Sequence, residues 1–131
     1  MRHAIPLLAV VLVALAPLRA GAACHEDLSV TDADERISAG EAVVIDVRTP
    51  REFGGPLGHI EGALLLPLGQ LEEALHHLSD VRGRTLIVVC RSGNRSTTAS
   101  RILCEAGFAN VMNLSGGMKA WQRAGLPAVH E

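Results

Sequence analysis

Two short runs of apolar, largely β-branched residues stand out along the chain: Val43-Val44-Ile45-Asp46-Val47 and Leu86-Ile87-Val88-Val89. Apolar residues follow one another in both, so each predicts a strand covered on both faces, as in the centre of a parallel sheet. The stretches around them carry the helical period instead. Thr31-Asp32-Ala33-Asp34 opens a short helix containing Ile37, and Gly40 ends it. From Gln70 to Leu78, residues Leu71, Ala74, Leu75 and Leu78 fall at i, i+3, i+4 and i+7, one face of a helix. A second stripe, Ala99, Ile102, Leu103 and Ala106, follows a helix start near Ser96 and stops at Gly107. Leu64-Leu65-Leu66 predicts a short strand before Pro67, Val111 to Leu114 a last strand, and Met118 to Ala124 a last helix carrying Trp121. Strands and helices alternating at such short intervals predict one α/β domain, a mostly parallel central sheet flanked by helices.

The amino terminus follows a different pattern. Met1-Arg2-His3 is basic, Ala4 to Leu18 is almost wholly apolar, and Ala20-Gly21-Ala22-Ala23 supplies small residues, together predicting a cleaved export signal over residues 1–23. Its apolar core of about 15 residues is shorter than the ~20 that span a bilayer, so no membrane span is expected after cleavage. Export predicts a periplasmic location in a Gram-negative cell, with secretion or a lipid anchor on Cys24 as alternatives. Gly21 stands where lipoprotein signals usually carry a large aliphatic residue, which weighs against the anchor.

Removing that segment sharpens the charge balance. The whole chain has 12 basic and 14 acidic side chains; losing Arg2 and Arg19 leaves ten against fourteen, a net charge of −4. An acidic domain of this kind is a poor match to nucleic acid. Arginines gathered at one loop then suggest a local anion site. The three cysteines, Cys24, Cys90 and Cys104, have neither disulfide-framework nor zinc-site spacing, and an odd number leaves at least one thiol free.

Cys90 is the candidate for chemistry. It closes the Leu86–Val89 strand and precedes a polar loop, Arg91-Ser92-Gly93-Asn94-Arg95, with the helix expected from Ser96. The carboxyl edge of an open α/β sheet is where ligands bind, and unpaired amides at a helix start stabilise a thiolate. Gly93 allows unusual backbone angles and Asn94 tolerates them, as a tight cradle of inward-pointing amides requires. Cys104, on the apolar side of the following helix, is expected to pack in the core, the alternative being a resolving thiol for Cys90. His76 and His77 diverge on their helix and make no metal clamp.

Several separated motifs now agree: Asp46-Val47-Arg48, Glu52-Phe53, Gly58-His59-Ile60-Glu61-Gly62-Ala63, the Cys90–Arg95 loop, and Leu114-Ser115-Gly116-Gly117-Met118-Lys119-Ala120-Trp121. Together they resemble the single-domain rhodaneses, a sulfurtransferase family, over essentially all of residues 24–131. One departure is Gly54-Gly55-Pro56-Leu57, which is about two residues longer than the usual connection.

The resemblance implies a rhodanese-like domain in which Cys90 takes a sulfane sulfur from thiosulfate or a related donor and passes it to cyanide or a thiol. An exported protein is a further candidate acceptor, and neither cofactor nor metal is implied. The amides of Arg91 to Arg95, with the helix from Ser96, are expected to hold the anionic sulfur, and Arg91 and Arg95 to attract the donor. Asp46, Arg48, Glu52 and His59 are expected to support the site, with Arg48 paired to Glu52 across the turn at Pro50.

Rival functions are a cysteine phosphatase or arsenate reductase, a sulfur carrier or thiol-redox partner, and a non-catalytic binding module. Phosphatase loops carry five residues between cysteine and arginine; here there are four, Arg91 to Asn94. One residue supplies at most about 3.3–3.6 Å of chain, so its loss tightens the cradle toward a single sulfur. Retention of Cys90 speaks against a merely binding role.

Overall fold

The structure, a computed structural model, describes residues 24–131. The predicted export signal therefore lies outside the described residues. The described chain runs β1 (Glu26–Leu28), α1 (Val30–Ser38), β2 (Ala42–Asp46), α2 (Pro50–Phe53), β3 (Leu64–Leu65), α3 (Leu71–Ala74), β4 (Thr85–Val89), α4 (Asn94–Glu105), β5 (Asn110–Leu114) and α5 (Gly117–Arg123).

The two strongest apolar runs become β2 and β4, neighbours in a five-stranded sheet ordered β1-β5-β4-β2-β3, with every pairing parallel. Because side chains alternate across a strand, β4 supplies both cores. Leu86 and Val88 join a cluster with Leu71, Leu78, Ala99 and Leu103 on the α3 and α4 side. Ile87 and Val89 join Ala33, Met118 and Trp121 on the α1 and α5 side. Cys90 continues the same alternation and falls on the α4 side, under the start of that helix.

Capping chemistry accounts for the helix starts on the second strand's flank. Ser29 accepts the Asp32 amide at 3.1 Å ahead of α1. Thr49 and Glu52 form a reciprocal capping box at α2, with Pro50 in the first turn where its missing N–H costs nothing.

Two local expectations change, and one strand is new. The helix predicted over Gln70–Leu78 is one α-turn, α3, between 3-10 segments at Leu68–Gln70 and Leu75–Val81. Leu75 and Leu78 still face the core, because positions i and i+3 eclipse in a 3-10 helix. Strand β1 has too few apolar residues to announce itself and exists through pairing with β5. The helix after the cysteine loop begins at Asn94, two residues before the expected start at Ser96.

Candidate active site

Cys90 sits at the carboxyl end of the central strand, 1% exposed, and is the free cysteine among the described residues. The loop turns back over it through Gly93, whose φ of 111° is closed to most side chains. Asn94 is already helical, so the left-handed step falls on Gly93 and not on Asn94. This turn points the Gly93 amide at Sγ, 3.0 Å away, and places the Ser96 hydroxyl 3.3 Å from the same sulfur.

Ser96 Oγ also donates to the Gly93 carbonyl at 3.1 Å. A hydroxyl has one proton, so it accepts from a neutral thiol and turns that proton to sulfur when the thiolate forms. Burial pushes the Cys90 thiol up, but the Ser96 hydroxyl and the amides of Ser96, Gly93 and Ser92 more than offset it. The thiol ends below its ordinary value of 9.0. These are charge-assisted bonds to an anion at the N-terminus of α4, the setting that makes a cysteine nucleophilic.

The last helix closes the cradle from the other side. The Met118 amide donates to the Cys90 carbonyl at 2.9 Å and the Lys119 amide to the Arg91 carbonyl at 3.0 Å. Gly117, at φ 58°, makes this approach possible: a Cβ there would lie 2.5 Å from the Cys90 carbonyl oxygen.

Arg48 is 1% exposed and spends its guanidinium on local anchors. It pairs with Asp46 through Nε at 2.9 Å and Nη2 at 2.8 Å, and donates to the carbonyls of Gly58 at 2.7 Å and Glu52 at 3.2 Å. Asp46 also takes the Arg48 amide at 3.1 Å. The expected Arg48–Glu52 ion pair is thus replaced: Arg48 reaches only the backbone of Glu52, because Asp46 on its own strand end is nearer and equally buried.

The Glu52 carboxylate binds Arg95 instead, Nη1 to Oε1 and Nη2 to Oε2, both at 2.7 Å. The Arg95 hydrogen bond holds Glu52 well down, to about 2 from an ordinary 4.5, against the opposing effect of burial. Arg95, raised in turn by Glu52, is committed to this pair and ties α4 to α2.

His59 is 8% exposed and stacks on Phe53 with ring centroids 3.6 Å apart. Its Nδ1 lies 2.9 Å from the Phe53 carbonyl, which makes Nδ1 the protonated nitrogen. Paired backbone bonds with Val129 anchor it further, at 2.8 and 2.7 Å. His59 therefore fastens the α2 turn to the carboxyl-terminal tail, and the hydrogen-bond partners of the Cys90 sulfur are Gly93 and Ser96. Arg91, Ser92 and Asn94 are exposed, and Arg91 makes no side-chain hydrogen bond or ion pair among the described residues.

Beside the loop lies a cleft of about 250 Å³ lined by Arg48, Glu52, Pro56, Leu57 and Arg91. The longer Gly54–Leu57 connection thus supplies its apolar wall. A larger cleft of about 500 Å³, walled by Ile37, Ile60 and Trp121 with Asp34 and Glu61 at its rim, includes none of the predicted site residues.

Two features escaped the sequence. Asn113 on β5 is buried at 4% and donates to Asp27 at 3.0 Å and Thr97 at 3.2 Å; Thr97 donates at 2.8 Å to the Gly93 carbonyl. A polar residue inside an apolar strand was the available signal. Cys104, expected in the core, is disulfide-bonded to Cys24 across 80 positions, and neither sulfur is a resolving thiol for Cys90. Separation along the chain gave no hint of that contact.

A parallel α/β domain with an activated cysteine in an amide cradle at the end of its central strand defines the class. The sequence pattern of the rhodanese-like domain matches residues 29–124. A sulfurtransferase of Allochromatium vinosum is 37% identical over 89 residues, 68% of this chain and 79% of its own. Thiosulfate sulfurtransferase GlpE of Shewanella oneidensis is 36% identical over 98 residues, 74% of this chain and 92% of its own. A rhodanese-related protein of Thermoplasma volcanium superposes with a TM-score of 0.73 at 31% identity, covering 81% of this chain and 99% of the other. The chain belongs to the rhodanese family of transferases.

Proposed function

We propose that the domain moves a sulfane sulfur from thiosulfate or a related donor to cyanide or a thiol through a persulfide on Cys90. The observation that carries this is Cys90 Sγ itself, the free thiol among the described residues, held 3.0 Å from the Gly93 amide and lowered below its ordinary pKa. The thiolate attacks the terminal sulfur of thiosulfate; a sulfur–sulfur bond forms to Cys90, the donor's sulfur–sulfur bond breaks, and sulfite leaves with the electron pair. The acceptor then attacks the outer sulfur, and the pair of the broken bond returns to Cys90 as thiolate. The same amides serve thiolate and persulfide, both anions. Four residues between Cys90 and Arg95 favour a single sulfur over a tetrahedral oxyanion.

The decisive experiment is mass spectrometry of the protein after thiosulfate. A gain of about 32 Da on the Cys90 peptide is the persulfide expected from thiolate attack. No adduct, or unchanged turnover in Cys90→Ala, would overturn the assignment.

An exported location, periplasmic in a Gram-negative cell, belongs to the same proposal. The Cys24–Cys104 bond supports it, since structural disulfides persist in oxidising compartments. With the Cys24 sulfur bonded to Cys104, the unlipidated form is favoured over an anchor. The pairing also leaves the buried Cys90 without a second free cysteine in the chain with which to form a disulfide.

A further inference from the structure

Three donors converge on one backbone oxygen at the start of α4. The Gly93 carbonyl accepts from Ser96 Oγ at 3.1 Å, Thr97 Oγ1 at 2.8 Å and the Thr97 amide at 3.2 Å. A carbonyl oxygen has two lone pairs, so Thr97 can fill both and Ser96 is the surplus donor. Ser96 is also the one of these donors hydrogen-bonded to Cys90 Sγ, at 3.3 Å. Its single proton can therefore leave Gly93 for the sulfur without orphaning a backbone acceptor.

The Thr97 hydroxyl has only one proton too, and two outer strands decide where it goes. Asp27 on β1 and Asn113 on β5 are paired in register, and Asn113 Nδ2 donates to Asp27 Oδ1 at 3.0 Å. A carboxylate only accepts, so Asp27 fixes which end of the Asn113 amide faces it. The same nitrogen donates to Thr97 Oγ1 at 3.2 Å. Thr97 accepts there and sends its own proton to the Gly93 carbonyl. Asn113 is 4% exposed on a strand whose other inward positions are apolar. An apolar side chain would be easier to bury there, so the position favours orientation over packing.

Taking Cys90 as the nucleophile proposed above, we infer that Asp27, Asn113 and Thr97 form a positioning relay that holds the Gly93 carbonyl and frees the Ser96 hydroxyl to turn to the Cys90 sulfur. None of the three is hydrogen-bonded to the sulfur: each acts through the next, and Ser96 delivers the effect. The same hydroxyl receives Cys90 again when the acceptor removes the outer sulfur and the thiolate returns.

The test is a double-mutant cycle on the rate of Cys90 alkylation by iodoacetamide across pH, with the adduct from thiosulfate followed by mass. Thr97→Val removes the hydroxyl at an exposed position with little change of shape, and Thr97→Ser restores it. Thr97→Val should raise the midpoint and slow alkylation at pH 7 about threefold, less than loss of Ser96 because water reaches the site. Thr97→Ser should recover most of that rate. In a Ser96→Ala background Thr97→Val should have almost no effect, since the hydroxyl it governs is gone. The charged side chains of the neighbouring elements, Asp46, Arg48, Glu52, Arg91, Arg95 and Lys119, are the same throughout. Asp27→Asn should slow alkylation about twofold by letting the Asn113 amide turn over. Loss of a negative charge alone would speed it, so the sign separates the relay from a simple charge effect.

Equal slowing by Thr97→Val with and without the Ser96 hydroxyl would make Thr97 merely structural and overturn the relay. Unmoved midpoints, with the adduct still formed, would overturn it and leave sulfur transfer standing. The expected midpoints with no adduct in the native chain would uphold the relay and remove the persulfide reading.

Discussion

Glu52 and Arg95, separated by 43 positions, meet through two parallel hydrogen bonds of 2.7 Å, and this contact joins the turn after β2 to the first turn of the helix over Cys90. The cation closest in sequence to the cysteine loop's end thereby serves the frame of the site and leaves Arg91 facing the cleft.

That pair makes a definite statement about acid. Glu52 titrates lower in the folded protein, near 2, than when free near 4.5. A depressed carboxylate contributes stability that is complete above about 4.5 and is lost as pH falls through about 2. Both side chains are about a third exposed, so solvent screening holds the contribution to about 1 kcal/mol or less. Urea unfolding of the native chain and Glu52→Gln should differ by about that amount at pH 7, and the difference should close as pH falls through about 2. Equal stability of the two at pH 7 would remove the energetic role of the pair.

Cys90 reactivity should rise with pH through a midpoint below 9.0 and level off above it, read by the rate of iodoacetamide alkylation. In Ser96→Ala the thiolate loses a hydrogen-bond donor. The midpoint then moves up, and the rate at pH 7 falls roughly tenfold, the size expected for one bond to an ion. An unmoved midpoint would mean that the backbone amides alone hold the thiolate.

Gly117→Ala places a methyl 2.5 Å from the Cys90 carbonyl oxygen at a φ of 58°. Backbone on both sides cannot retreat easily, so a loss of about 2–3 kcal/mol is expected, with a slower persulfide step because α5 pulls away from the loop. Thermal unfolding and the rate of adduct formation check the two effects separately.

The Cys24–Cys104 bond spans 80 positions, and closing a loop of that length restricts the unfolded chain strongly. Cys104→Ser should cost about 2–4 kcal/mol. Non-reducing peptide mass mapping should find Cys24 and Cys104 linked, with Cys90 alone alkylated after unfolding. Three reactive thiols would refute the pairing.

The pattern of residues alone announced the sheet, because continuous β-branched runs are stable only where both faces are covered, as β2 and β4 are. It also located Cys90, since a strand end, a glycine and a helix start are all local signals. Asp46, Arg48, Glu52 and His59 were legible as polar residues set in apolar or turn surroundings, but their partners were not. Which carboxylate takes which guanidinium depends on distances set when β2 and β4 pair. That packing gave Arg48 to Asp46 and Glu52 to Arg95. The same holds for Cys24 with Cys104, for Asn113 behind Thr97, and for Gly117 against the Cys90 carbonyl. Each joins residues far apart along the chain, and an ion pair, a disulfide or a close backbone approach exists only after tertiary packing has brought its two halves within a few ångströms.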